Sequence, residues 1–280
     1  MKKPNINKYK IMDKKIDILN QDWDILVILD ACRYDLFGEV YKEFFNQGKL
    51  RKAISPATWT IEWFNKIFDG EYYDDIIYIS SNVFLNSKKK MTHTSKGDTR
   101  SFFGKNHFFK VIDVWDWGWN KRTKTIHPRK INAGFIKYYL KYPKKRFILH
   151  YIQPHQPYLT LPKEEISNKQ SKVKSSLLRQ IGNSYLPEEI NWKIKKILNI
   201  SPSEIEKIYR EKGWNGIKEI YKNEIRLVLN HVKILTDSIS ANFLITADHG
   251  ERLGEHLFRN RHGGKRDKEV IEVPWFELKK

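Results

Sequence analysis

Five short apolar runs constrain the fold open to this chain. They are Asp24–Asp30 (DILVILD), Asp75–Ser80 (DIIYIS), Phe109–Val114 (FKVIDV), Arg146–Ile152 (RFILHYI) and Asn242–Ala247 (NFLITA). Each has the length of a strand and lacks clean period-two alternation. A strand with one wet face alternates apolar and polar residues, whereas a strand covered on both faces does not. The runs therefore read as strands buried on both sides.

Helical patterns lie between them. Ile131–Tyr142 reads as a helix ending before Pro143. Ser201-Pro202-Ser203-Glu204 has capping-box spacing with Pro at the first helical position, and Gly213 reads as a stop. Gly216–Ser238 sets Ile217, Ile220, Tyr221, Ile225, Val228, Val232 and Leu235 three and four apart, an amphipathic helix just before the last strand. Strands alternating with helices predict an α/β fold: a mainly parallel central sheet with helices on both faces. A single domain is expected over residues 1–280, with Lys163–Ser184, rich in Lys, Ser and Asn, as a polar surface excursion.

Composition removes several function classes. The single cysteine, Cys32, excludes an internal disulfide, a multi-cysteine zinc site and a cysteine-ligated iron–sulfur cluster. The N-terminal MKKPNINKYKIMDKK has the charge of a leader but no apolar stretch behind it, and no run approaches the ~18 apolar residues of a spanning helix. The expectation is a cytoplasmic protein without a transmembrane segment, with an anionic membrane surface as one peripheral contact. Lys and Arg number 52 against 33 Asp and Glu, a net charge of +19, so an anionic partner is expected. Charge alone leaves nucleic acid, membrane and small anions open. Lys88-Lys89-Lys90 and Lys144-Lys145-Arg146 could follow phosphates, but Lys is scattered through the chain, which favours solvated surface over a nucleic-acid groove.

In open α/β sheets ligands bind beyond the carboxyl ends of the strands. The unusual polar residues fall there. The first run ends in Asp30, the fourth carries His150 and runs into Gln153-Pro154-His155-Gln156-Pro157-Tyr158, and the fifth ends in Asp248-His249-Gly250-Glu251, then Gly254-Glu255-His256. Singly, Asp30 could be a helix N-cap and Asp248-His249-Gly250 a glycine turn. Together they bring two Asp and at least two His to one rim, and carboxylate oxygens with imidazole nitrogens suit a divalent cation.

These segments resemble the sulfatase-like branch of the alkaline phosphatase superfamily. Asp248-His249-Gly250-Glu251 with Leu253-Gly254-Glu255-His256 is similar to its DHGE…GEH segment. Ile25–Asp35 (ILVILDACRYD) is similar to its first strand and metal aspartate, and His150–Tyr158 (HYIQPHQPY) to its H-x-x-x-P-H-x-P-Y stretch. Ser55–Gly70 (SPATWTIEWFNKIFDG) matches the nucleophile segment more loosely, in the form with threonine in place of the modified cysteine. The resemblance implies Asp30, Thr60, Asp248, His249 and His262 as metal ligands, with Thr60 also the nucleophile and Thr58 its alternative. It implies His155 or His150 as the acid on the leaving oxygen or as an anion contact, with Arg33 and His256 also facing substrate. For Arg33 a salt bridge with Asp35 is the competing reading. Glu251 and Glu255 read as supporting or turn residues. Cys32 lacks the C-x-P-x-R context of a sulfatase nucleophile and reads as a small buried residue.

One divalent ion is expected, Mn2+ or Zn2+ being favoured by an imidazole ligand, with Ca2+ or Mg2+ as alternatives. The implied activity is hydrolysis of a sulfate or phosphate ester carried by a small molecule, glycan or lipid. The alternatives are a transferase moving a phospho-substituent onto a glycan or lipid, and a degenerate member that binds an anion without turnover. Trp115-Asp116-Trp117-Gly118-Trp119 reads as packing beneath a loop or, second, as a stacking surface. Asn82, after the second run, is a weaker candidate for the rim.

Overall fold

Ile25–Leu29 forms β1, and all five of its side chains are buried. At about 1.5–3 kcal/mol for each large aliphatic side chain, such strands drive collapse. The structure, a computed structural model, describes residues 18–68, 70–95, 97–161, 204–255 and 262–279. The expected excursion at 163–184 and the cap at 201–203 lie outside the described residues.

β1 is central in a seven-stranded sheet. It pairs in parallel with β9 (Arg146–Tyr151) on one side and β10 (Phe243–Thr246) on the other. Beyond β9 come β3 (Tyr73–Ser80) and β6 (Phe108–Asp113), both parallel. These are the five apolar runs. Beyond β10 the direction reverses, with β11 (Glu272–Leu278) antiparallel to β10 and β2 (Lys49–Ile54) antiparallel to β11. Sequence reading passed over both, since β2 is a largely wet edge strand and β11, though buried at Val273, Trp275 and Phe276, carries Pro274. β2 is mostly exposed, and Lys52 pairs across the strands with Glu272 at 2.9 Å. Two small hairpins, β4 (Met91–Ser95) with β5 (Asp98–Phe102) and β7 (Trp119–Asn120) with β8 (Thr125–Ile126), stand outside the sheet.

The helices are α1 (Tyr34–Val40), α2 (Thr60–Ile67), α3 (Val114–Trp117), α4 (Arg129–Lys141), α5 (Glu204–Ser238) and α6 (Lys268–Ile271). α5 is broken at Gly213, whose φ of 60° and ψ of −156° suit glycine, where the sequence predicts a stop. Past the break, Ile217, Tyr221, Ile225, Val228, Val232 and Leu235 are buried, as their spacing predicts. Phe147 and His150 on β9 are an odd number of residues apart and so face opposite sides of the sheet. The Phe147 ring meets Phe135 of α4 and the His150 ring meets Phe64 of α2, so helices cover both faces.

Register sets the rim. Ile28, His150, Thr246, Ser80 and Asp113 lie level across the parallel strands. Two residues beyond Ile28, Thr246 and Ser80 stand Asp30, Asp248 and Asn82.

Candidate metal centre and active site

Asp30 leaves the end of β1 almost fully buried. Its Oδ2 accepts a 2.8 Å hydrogen bond from Asn82 Nδ2 and lies 3.7 Å from His150 Nε2. Burial works against ionisation, but the nearby imidazoles of His150, His155 and His249 outweigh it and hold the carboxyl well below its usual range. The next residue, Ala31, is in the left-handed region at φ 60°, an uncommon conformation for a residue with a Cβ. Its N–H donates to Asp248 Oδ1 at 3.0 Å, and Tyr221 donates its hydroxyl to the Ala31 carbonyl.

Asp248 Oδ1 also accepts the His249 N–H at 2.9 Å. Its other oxygen, Oδ2, is buried with no hydrogen-bond partner among the described residues, and the same holds for His150 Nε2. Leaving such atoms unsatisfied costs about 1–3 kcal/mol each, more for a charged group. Asp30, His150 and Asp248 each bring one ligand atom within 4.8 Å of the others. Two carboxylates and an imidazole, two of the three with an orphaned buried atom, fit a divalent cation with bonds of about 2.0–2.6 Å. The His150 ring is oriented from behind, its Nδ1 lying 2.8 Å from the Tyr78 hydroxyl.

His249 Nδ1 lies 2.8 Å from the Gly250 carbonyl, which takes the Nδ1 proton and leaves Nε2 as the lone-pair nitrogen. That Nε2 is 3.4 Å from Asp248 Oδ2, 4.0 Å from Asp30 Oδ1 and 3.4 Å from Thr60 Oγ1. Thr60 is the first residue of α2, where the helix dipole favours negative charge. The alternative hydroxyl is otherwise engaged: Thr58 directs its N–H and Oγ1 onto Glu62 Oε2 at 2.8 and 3.2 Å.

A second group adjoins the first. His155, Glu251 and His262 bring ligand atoms within 4.8 Å of one another. The His262 ring stands 5.0 Å from that of His249 and 5.3 Å from that of His155. Two expectations change here. His262 joins this second group, not the Asp30–Asp248 pair, and His150, expected as an acid or anion contact, joins that pair. The sequence reading also undervalued Glu251, which is fully buried and gathered with the histidines. Its position in the DHGE segment was the only signal.

Arg33 makes the salt bridges that were its competing reading. Its guanidinium grips Asp35 at 2.9 and 2.6 Å and reaches Glu255 at 2.6 Å, the salt-bridge reading. Burial opposes ionisation of Glu255, but Arg33 outweighs it and holds the carboxyl down at about 2. Cys32 is buried, as expected. His256 lies outside the described residues. Trp117 and Trp119 are half exposed, against the packing reading, while Trp115 packs on the core.

A mainly parallel sheet with this strand order and helices on both faces has the alkaline phosphatase/sulfatase-like fold. No protein family and no curated protein matches the sequence. Among solved structures, the integral membrane lipooligosaccharide phosphoethanolamine transferase A (EptA) of Neisseria meningitidis matches with a TM-score of 0.58 at 12% identity, over 92% of this chain and 47% of that one. The chain thus spans about half the length of that structure. The soluble domain of the same enzyme gives 0.53 at 13% identity, over 90% and 75%. The C-terminal periplasmic domain of EptC from Campylobacter jejuni gives 0.48 at 12%, over 91% and 78%. A putative sulfatase, yidJ of Bacteroides fragilis, gives 0.41 at 12%, over 92% and 68%. At these identities the likeness is one of fold.

The expected cytoplasmic location is corrected. The fold matches the soluble domain of an enzyme that is an integral membrane protein, which points away from the cytoplasm. No helix among the described residues is long and apolar enough to cross a membrane, which assigns no compartment.

Proposed function

We propose that the chain is a metal-dependent enzyme acting on a phosphate or sulfate ester through Thr60. The observation that carries this is the gathering of Asp30, His150 and Asp248, the last two each with an orphaned buried atom, with His249 linking them to Thr60 Oγ1 at the start of α2. Asp30, His150, Asp248 and His249 would hold the ion. When bound, a divalent cation supplies charge stabilisation and lowers the pKa of the hydroxyl it touches.

The chain's own residues do the rest. Thr60 gives its hydroxyl proton to solvent, and Oγ1 attacks phosphorus or sulfur in line, forming the Oγ1 bond as the bond to the leaving oxygen breaks. The leaving oxygen takes its proton from His155 or His262 on the outer group. Water then opens the threonine ester in a hydrolase, whereas an alcohol opens it in a transferase. Everything up to that step is shared, so a phospho-substituent transferase acting on a glycan or lipid is the second reading.

The test is turnover of nitrophenyl phosphate, bis-nitrophenyl phosphate, nitrophenyl sulfate and a nitrophenyl phosphoethanolamine, with Mn2+ or Zn2+, with and without an alcohol acceptor. Turnover abolished in Thr60→Ala and Asp248→Asn supports the proposal. Acceptor-bound product selects the transferase reading. Turnover unchanged in Thr60→Ala overturns the nucleophile, and anion binding without turnover of any substrate leaves the degenerate reading.

A further inference from the structure

The outward face of α4 is a mixed apolar and basic surface that neither the metal cluster nor the ester chemistry uses. On its inner side Ile131 and Phe135 are buried. On its outer side Ile136 and Leu140 are 47% and 76% exposed, and the exposed Lys137 and Lys141 stand beside them. The spacing i, i+1, i+4, i+5 makes this one continuous face of a helix. α4 contains no Asp or Glu.

The surface continues past the end of the helix. Lys141 Nζ lies 5.5 Å from the centre of the Tyr142 ring, and Lys145 Nζ lies 4.3 Å from that of Phe109, a ring 37% exposed at the sheet edge. The result is a row of aliphatic side chains flanked by ammonium groups lying across aromatic rings.

We propose that this face docks on an anionic phospholipid bilayer. The chemistry selects that occupant. Leu140 and Ile136 have no π face for a base to stack on and no donor for a phosphate, but they enter a bilayer below its headgroups. Lysine stems lie along the apolar surface while the ammonium groups reach lipid phosphates. Tyr and Phe suit the headgroup level. A second copy of the chain is a poor occupant, because a two-fold contact would set the lysines of α4, a helix without Asp or Glu, against themselves in a chain of net charge +19.

The face starts where β9 and β6 begin, at the sheet edge opposite the carboxylate rim, so docking is read without turnover. Its failure and that of the ester-cleaving reading are therefore distinguishable.

The experiment is co-sedimentation of the full chain with vesicles of phosphatidylcholine alone and of phosphatidylglycerol mixed with phosphatidylcholine. Binding only to the mixed vesicles is expected. Ile136→Ser with Leu140→Ser should lower the partition coefficient about tenfold or more at constant salt, as should Lys137→Glu with Lys141→Glu. Unchanged melting temperatures establish that both pairs fold. No binding to mixed vesicles overturns the proposal, and so does binding that neither pair weakens. Duplex DNA bound through Lys137 and Lys141 but indifferent to Leu140→Ser would replace it with a nucleic-acid surface. A dimer dissolved by Leu140→Ser, without vesicle binding, would replace it with self-association.

Discussion

Asn82 Nδ2 donates a 2.8 Å hydrogen bond to Asp30 Oδ2, and both side chains are buried. The bond fixes which oxygen of Asp30 turns inward, because the same Asn82 holds itself in place by accepting the Phe84 N–H at 2.9 Å. Residues that orient a ligating carboxylate matter to affinity without touching the ion. Asn82→Ala should weaken Mn2+ or Zn2+ binding by roughly 10–100-fold while leaving a folded protein. Metal titration by calorimetry checks it, and unchanged affinity would remove Asn82 from the site.

How much of this was legible beforehand depended on what each residue needs from its neighbours. The buried runs that became β1, β3, β6, β9 and β10 carry their own signal, since burial on both faces leaves no polar alternation. β2 carries none, because its exposed Lys52 is explained only once it pairs with Glu272, and β11 carries a weak one, because Pro274 interrupts its buried stretch. Asp30, Asp248 and His249 were readable from position, each just past a strand. The gathering of His150, in place of His262, with Asp30 and Asp248 was not. Which face of β9 His150 occupies is set by the register with β1 and β3, and His262 is placed by the Gly263 N–H bonding Thr58 across the fold.

Glu224 introduces a pH dependence outside the site. It is buried on α5, and its Oε1 accepts the Thr160 N–H at 2.5 Å, while Oε2 has no hydrogen-bond partner among the described residues. Burial pushes its carboxyl up to about 7 from an ordinary 4.5, although the Thr160 and Leu159 hydrogen bonds pull the other way. The folded state therefore holds this proton more tightly than the unfolded chain. Its contribution is most favourable below the unfolded value and is lost as pH rises through about 7, a total of about 3 kcal/mol. Glu224→Gln keeps the acceptor and removes the charge. Its melting temperature should exceed that of the parent at about pH 8 and match it at about pH 4. Parallel melting curves across that range would contradict the assignment.

Arg33 predicts a loss of stability in place of a loss of substrate affinity. Its guanidinium is buried between Asp35 and Glu255 and also donates to the Glu251 carbonyl at 3.3 Å. Removing it takes from Glu255 its shortest ion pair and leaves Lys218 Nζ at 3.2 Å, while Asp35 is open to water and loses less. Arg33→Met should cost about 3 kcal/mol, the low end for breaking a buried pair. Below the melting transition KM for whichever ester is turned over should stay within about twofold, since uniform binding is untouched. A large rise in KM with full stability would return Arg33 to the substrate.

Thr60 and Thr58 are separated by a single residue, yet their variants should behave in opposite ways. Thr58 is tied to Glu62, which Lys66 grips in turn at 2.7 Å, so Thr58 belongs to the start of α2 as a structural element. Thr58→Ala should cost about 1 kcal/mol of stability, the worth of one hydrogen bond, and leave metal affinity unchanged. Thr60 faces His249 and the carboxylates, with few other demands on its hydroxyl. Thr60→Ala should abolish turnover with little effect on melting, whereas Thr60→Ser keeps the oxygen and should retain part of the rate. Mass spectrometry of a stalled reaction carries the decisive reading. A phosphoryl or sulfuryl adduct on the peptide containing Thr60, absent from Thr60→Ala and present in Thr58→Ala, fits the attack geometry, and an adduct that survives Thr60→Ala excludes it.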